Sequence, residues 1–194
     1  MFGILAVGND LRGDDGVGLL AGRMLEKKGF QVVFGHESPE NVLGALRGFE
    51  KILVLDATHF EGGGAYRIVE EVPASYYTHK MSLDRVRKVT GARVWLVGIK
   101  TYNRRMGEAI SEEARANVRR AVKVIEMCMS VPGKIVNEKE KMVEILGETK
   151  KVKFGVPGLK KGDLVLIHAG AVIEKLSQSE FDQMMQELKE LEIR

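Results

Sequence analysis

Residues 2–18 read FGILAVGNDLRGDDGVG, an apolar run that leads into an acidic, glycine-rich turn. The apolar run is typical of a buried β-strand, and residues 17–28 carry the periodicity of an amphipathic helix. A strand, a tight turn and a helix in this order are the usual opening of a parallel sheet in α/β proteins. This stretch therefore predicts a wound sheet whose first strand is residues 2–8.

The same alternation continues to residue 126. Apolar runs of strand length are separated by helical patterns, which indicates parallel strands joined by helices. We therefore predict an α/β domain over residues 1–126, with a wound, mostly parallel sheet flanked by helices. The strand candidates are residues 2–8, 31–34, 51–56, 66–71 and 93–98, and the helical candidates are residues 17–28, 39–49, 83–90 and 107–126.

Residues 127–194 follow a different pattern, because no helical segment separates their apolar runs. Five short strand candidates with turn residues between them are typical of a small antiparallel β-barrel of the OB-like kind. Ser177 and Glu180 form the S-x-x-E pattern of a capping box, which predicts a helix at the end of the segment. We predict a second domain over residues 127–194. The strand candidates read VPGKIV, MVEIL, KVKFG, DLVLIH and AVIE.

The composition excludes several classes of protein. The chain has 194 residues, of which 44% are hydrophobic and 29% charged, as in a globular protein. Its net charge of +3 is too small to indicate a nucleic-acid partner, and no apolar run approaches the roughly 20 residues that span a membrane. The single cysteine cannot form an internal disulfide, and residues 1–8 do not read as a signal peptide. We expect a cytoplasmic protein that neither binds nucleic acid nor inserts into a membrane.

The acidic turn lies where dinucleotide-binding proteins hold a pyrophosphate. Its glycines do not reproduce the G-x-G-x-x-G spacing, and its aspartates would repel an anion at the helix start. It also fails as a calcium loop, because Arg12 and Gly13 interrupt the series of oxygen ligands. The turn suits a cation or a water-activating base, unless Asp14 or Asp15 serves only to cap the helix.

A second carboxylate follows a buried strand, because KILVLD ends at Asp56. Open parallel sheets bind ligands at the carboxyl ends of their strands, so Asp15 and Asp56 meet if the first and third strands are neighbours. His79 precedes a helical pattern, and His59 competes with it as the nearest imidazole along the chain. Two carboxylates and one imidazole suit a divalent metal such as nickel or zinc.

Residues 1–126 contain five motifs, which are GNDLRGDDGVG at residues 8–18, SPEN at 38–41, LDAT at 55–58, THKMSL at 78–83 and VWLVGI at 94–99. Together these motifs resemble the maturation endopeptidases of [NiFe] hydrogenases. The resemblance is closest to the HycI type, which serves the hydrogen-evolving formate hydrogenlyase enzymes. It implies a peptidase that removes a C-terminal extension from the hydrogenase large-subunit precursor after nickel has been inserted.

By position within these motifs, the metal-contacting groups of the family fall on Asp15, Asp56 and His79. Another branch of the family carries the histidine at the position of Asp84, which makes the two aspartates the firmer assignments. The resemblance implies that the substrate supplies the nickel. One of the two aspartates then orients or deprotonates the attacking water, which makes both of them candidate catalytic residues.

The second segment contains MCMSVPGKIV at residues 127–136 and GDLVLIHAG at residues 162–170. These stretches resemble the HypC/HupF hydrogenase assembly chaperones. The resemblance implies that Cys128 holds an iron centre transiently, with His168 in a supporting role, and that a HypD-like assembly protein is a partner. In that family the cysteine becomes the first residue of the chain, whereas here it follows 127 others. Either the internal cysteine suffices, or a second start, a cleavage or an engineered join accounts for its position.

Both resemblances concern the assembly of the same enzyme. The sequence therefore predicts a fusion that chaperones the precursor, delivers its iron centre and removes its C-terminal extension once nickel is present. A non-catalytic scaffold that binds metal and precursor is the main alternative, and a dinucleotide-dependent oxidoreductase is a third.

Overall fold

The computed structural model of the chain describes residues 2–70, 82–168 and 170–192, without the side chains of residues 127–129 and 187–192. The chain divides into two compact units, Met1–Val124 and Ile125–Arg194. None of the helices in the described ranges has the length and apolarity needed to cross a membrane.

The first unit is an α/β unit built on a five-stranded sheet. Its strands are β1 (Phe2–Val7), β2 (Val32–His36), β3 (Lys51–Thr58), β4 (Tyr66–Val69) and β5 (Arg93–Lys100). Their order in the sheet is β2-β1-β3-β5-β4, in which β2, β1, β3 and β5 are parallel and β4 pairs with β5 antiparallel. The helices are α1 (Val17–Lys27) and α2 (Leu83–Thr90), with 3₁₀ helices at Gly13–Gly16 and Pro39–Leu46. Helix α3 (Glu112–Met129) begins in the first unit and ends in the second.

Alternate residues of the central strands build the core on one face of this sheet. Leu5 and Val7 of β1 pack with alternate residues of β3 and β5, against α2 and the second 3₁₀ helix. On the opposite face α1 contacts β1, β2 and β3. Helices therefore flank both faces, which confirms the predicted fold class. Because β1 has β2 on one side and β3 on the other, the expected reversal of strand order lies between β1 and β3.

Two predicted helices differ from those observed. Residues 39–49 form a 3₁₀ helix over Pro39–Leu46, and the helix predicted for residues 107–126 extends from Glu112 to Met129. It begins late because the Ser111 hydroxyl accepts the N–H of Ala114, as an N-terminal cap does. It extends beyond residue 126 because no proline stops it before Pro132. That proline disfavours the helical backbone conformation of Val131, the residue before it.

The second unit has a six-stranded sheet, curled into a half-barrel, and a terminal helix. The elements are β6 (Val131–Asn137), β7 (Met142–Ile145), β8 (Glu148–Lys151), β9 (Lys153–Phe154), β10 (Leu164–His168), β11 (Ala171–Lys175) and α4 (Gln178–Glu192). The order of the strands is β8-β7-β6-β10-β11-β9. The prediction of five strands was wrong by one, because the segment around Val152 forms the two strands β8 and β9. Val152 is buried between them, and β9 pairs parallel with β11.

The capping box predicted for the terminal helix is confirmed. The Ser177 hydroxyl accepts the N–H of Glu180 at 3.3 Å, and the Glu180 carboxylate accepts the N–H of Ser177 at 3.0 Å. These two bonds satisfy donors that a helix start otherwise leaves unpaired.

Gly18 lets α1 approach the sheet closely. A Cβ at this position would lie 2.2 Å from the carbonyl oxygen of Val7 and 2.5 Å from that of Leu55. We expect Gly18→Ala to lower the free energy of unfolding by about 3 kcal/mol, because neither backbone strand can move aside. Gly44→Ala is the matched control, since nothing lies within 4 Å of its Cβ position. Urea denaturation measures both, and equal midpoints for the two variants would contradict the close approach of α1.

Candidate functional site

Asp14 ties the acidic turn, residues 9–16, to the loop of residues 101–111 that follows β5. Its side chain is fully buried and accepts four hydrogen bonds from that loop. The donors are the N–H groups of Tyr102 at 2.8 Å, Asn103 at 3.0 Å and Ser111 at 2.7 Å, and the hydroxyl of Ser111 at 3.0 Å. Asp14 therefore holds two loops together and does not serve merely as a helix cap.

The same contacts decide the charge of Asp14. Burial by itself raises the pKa of a carboxyl group, but the hydrogen bonds from Ser111, Tyr102 and Asn103 together outweigh it and lower the pKa of Asp14. The carboxylate is thus the form for which the site is built. All of its contacts described here stabilise structure.

Asp15, the next residue, has a different environment. It is 4% exposed, and its Oδ1 lies 3.8 Å from Nη1 of Arg104. The Nε and Nη2 atoms of Arg104 donate to the hydroxyl oxygen of Thr101 at 3.2 Å and 3.0 Å. Thr101 in turn donates to the carbonyl of Thr58, the last residue of β3. A fixed guanidinium therefore faces the carboxylate of Asp15.

Asp56 lies inside β3, two residues before its end, and is 8% exposed. Its Oδ1 accepts the N–H of Ala57 at 2.8 Å. The register partner of Asp56 on β5 is Gly98, which leaves that position of the neighbouring strand without a side chain. The carboxylate is thus fixed locally at the carboxyl end of a buried parallel strand.

The elements that carry Asp15 and Asp56 contact each other at the switch point. The 3₁₀ helix that contains Asp15 contacts β3. Gly8, at the end of β1, has a φ of +144°, and a Cβ there would lie 2.2 Å from the carbonyl oxygen of Asp15. Glycine is thus required for the close turn that brings Asp15 to the carboxyl edge of the sheet.

The imidazole of the predicted metal set is not part of this description, because His79 lies outside the described residues. His59 is exposed in the loop after β3, and the exposed Asp84 pairs with Arg87 at 2.8 Å. Among the side chains that the structure describes, which exclude those of residues 71–81, 127–129, 169 and 187–194, no group of three His, Cys, Asp or Glu is arranged to hold a metal ion. Asp15 and Asp56 offer carboxylate oxygens, which nickel accepts as ligands, and a third ligand stays a prediction.

The two predicted iron-binding residues lie in different elements of the second segment. Cys128 is in the last turn of α3, so its backbone nitrogen is part of a helical peptide chain. His168 is the last residue of β10 and pairs with Ala171 in the β10–β11 hairpin. Their predicted roles in iron binding stay predictions.

Arg104, Thr101 and Ser111 were not among the predicted site residues. All three follow β5 at the carboxyl edge of the sheet, and a polar segment directly after a parallel strand is a signal that would have pointed to them. The different roles of Asp14 and Asp15 were not predicted either, because only their contacts in the structure reveal them.

Solved structures with a similar fold cover close to two thirds of this chain. The [NiFe] hydrogenase maturation protease HycI from Thermococcus kodakarensis KOD1 matches with a TM-score of 0.56 and 25% identity, over 64% of this chain and 88% of that one. The endopeptidase HycI from Escherichia coli matches with a TM-score of 0.55 and 26% identity, over 63% of this chain and 87% of that one. Protein FrxA from Pyrococcus furiosus is 23% identical over 128 residues, which cover 58% of this chain and 93% of FrxA.

The second segment matches a different family. Residues 127–188 match the HupF/HypC family, and this match begins in the last turn of α3. The chain therefore combines a unit with the fold of the hydrogenase maturation proteases and a HupF/HypC segment, as the two resemblances in its sequence predicted.

Proposed function

We propose that this chain matures the large subunit of a [NiFe] hydrogenase. The α/β unit removes the C-terminal extension of the precursor after nickel insertion, and the second unit chaperones the precursor as HupF/HypC proteins do. The observation that carries this proposal is the joining of two independent similarities, one to maturation proteases and one to the HupF/HypC family, in a single chain. A role in the maturation of one enzyme accounts for both similarities.

The proposed chemistry is hydrolysis of one peptide bond of the precursor. Asp15, Asp56 and His79 contact the nickel that the precursor carries, and this contact places the scissile bond at the carboxyl edge of the sheet. One of the two carboxylates takes a proton from the attacking water, whose oxygen bonds to the scissile carbonyl carbon. The proton passes to the leaving amine as the carbon–nitrogen bond breaks. Polarisation of the carbonyl by the substrate's nickel favours the attack.

The donor set and its burial support these roles. Asp15 and Asp56 are almost completely buried, on two elements that touch at the switch point. A carboxylate in such a site binds a cation more strongly than an exposed one does, because water screens the attraction less. Asp14 is excluded as the base, because the donors from the 101–111 loop occupy both of its oxygens.

The second unit acts on the same precursor in this proposal. Cys128 holds the iron centre transiently, His168 supports it, and a HypD-like protein is the partner from which the centre arrives. Because Cys128 lies within α3, its thiol works without the free amine of a chain terminus. We place this work in the cytoplasm.

The experiment that tests the proposal is cleavage of a cognate large-subunit precursor by the full chain, with and without nickel. Mass spectrometry of the precursor's C-terminus is the measurement. We expect loss of a C-terminal peptide only from the nickel-loaded precursor. An intact C-terminus on a precursor shown to contain nickel would contradict the peptidase and favour the non-catalytic scaffold.

A further inference from the structure

Arg104 lies beside Asp15, and the proposed hydrolysis gives this arginine no role. Its side chain is 25% exposed, and Nη1 lies 3.8 Å from the nearly buried Oδ1 of Asp15. Two of its other donors are fixed on the Thr101 hydroxyl, and Thr101 is fixed on the carbonyl of Thr58. This chain of contacts joins the acidic turn, the 101–111 loop and the end of β3.

The neighbouring arginine, Arg105, has a different environment from that of Arg104. Arg105 is 82% exposed and lies 3.8 Å from Glu108, which is on the same loop. Its position resembles that of an ordinary surface ion pair, which contributes little. Arg104 instead points its charge at a carboxylate of the candidate metal site.

We propose that Arg104 is a specificity-determining residue that guards Asp15 against free divalent cations until the precursor presents its nickel. This inference rests on the proposed function and names the group that makes the site respond to nickel held in a protein. The guanidinium of Arg104 carries a positive charge, which repels a metal cation that approaches Asp15. A metal ion must displace it or bind beside it, and either alternative weakens binding.

Free nickel and nickel held in the precursor differ in how well they can displace Arg104 from Asp15. A free ion has only its own attraction to Asp15 and Asp56 and must lose part of its hydration. Nickel already inserted in the precursor arrives with the contacts between the two proteins, and those contacts supply free energy for moving Arg104 aside.

The size of the effect follows from charge and distance. Removing one positive charge that lies a few ångströms from a divalent ion favours binding by about tenfold at the dielectric constant of bulk water, and by more where burial reduces the screening. We therefore expect Arg104→Gln to bind free Ni²⁺ at least about tenfold more tightly than the parent protein. The gain must depend on Asp15, so it disappears in the double variant that also carries Asp15→Asn.

Titration calorimetry of the full chain with Ni²⁺ alone tests this expectation. Arg105→Gln is the matched control, because it removes the same charge from the next residue, and we expect it to bind Ni²⁺ as the parent does. Arg104→Met repeats the measurement with a side chain that keeps the apolar stem. Circular dichroism on each variant checks that it is folded.

The Ni²⁺ titrations of the Arg104 variants either support or overturn the proposal. Tighter Ni²⁺ binding by Arg104→Gln or Arg104→Met, lost on adding Asp15→Asn, supports the guard. Unchanged, weaker or undetectable Ni²⁺ binding by both folded variants overturns it, as does an equal gain in Arg105→Gln. The titration uses no precursor, so a failure of the peptidase proposal in the cleavage assay leaves this result separate.

Discussion

Asp15→Asn and Asp56→Asn should each lower the rate of precursor cleavage by about a thousandfold, while the chain stays folded. An amide cannot accept the proton of the attacking water, and it attracts a cation less than a carboxylate does. General-base groups usually contribute about a hundredfold to ten-thousandfold to a rate, which sets the size of this expectation. The rate is measured by mass spectrometry of the nickel-loaded precursor under single-turnover conditions.

Asp10→Asn is the matched control in the same turn. Asp10 is partly exposed and pairs with Arg23 on α1, so its loss should leave cleavage within about threefold of the parent. Normal cleavage by Asp15→Asn or Asp56→Asn would remove that carboxylate from the mechanism. Comparable losses in Asp10→Asn and Asp15→Asn would show that the acidic turn tolerates no substitution and that the loss in Asp15→Asn does not report chemistry.

Asp14→Asn should have the largest effect on stability. The substitution leaves one oxygen to accept from four donors, and it places an NH₂ group against N–H groups of Tyr102, Asn103 or Ser111. Each lost bond to a buried carboxylate is worth roughly 1.5–3 kcal/mol, so we expect the free energy of unfolding to fall by about 3–5 kcal/mol. Urea denaturation measures the loss.

Hydrogen exchange distinguishes the cause of this effect. If Asp14 holds the 101–111 loop, the amides of Tyr102, Asn103 and Ser111 lose protection in Asp14→Asn, while those in the second unit keep theirs. Asp15→Asn should leave the three amides protected, because all three donate to the carboxylate of Asp14. Equal stability of Asp14→Asn and the parent would refute the anchoring role.

The arrangement of the first sheet was largely predictable, because its strands are short apolar runs separated by helical patterns. Helix α2 was predicted at its observed bounds, residues 83–90, where a serine cap and a following glycine mark its ends. The antiparallel direction of β4 was not predicted. A four-residue edge strand carries no mark of its direction, which its pairing with β5 alone establishes.

Only part of the candidate site could be predicted from the sequence, because some of its contacts join distant parts of the chain. The positions of Asp15 and Asp56 at the carboxyl edge follow from the alternation of strands and helices. The backbone groups that bind the Asp14 carboxylate are 88, 89 and 97 residues away along the chain, and no local sequence pattern predicts them. Adjacent aspartates look equivalent in the sequence, and only packing shows that one is an anchor and the other faces a guanidinium.

The course of α3 also determines where the chain can be divided into fragments. A fragment that stops at residue 126 would end within α3, with the carboxylate of the new terminus added to the negative end of the helix dipole. A fragment that starts at residue 127 would begin with three residues of a helix whose preceding turns are missing. A fragment that keeps α3 whole runs to Ser130, between α3 and β6, and Cys128 is then separated from strands β6–β11.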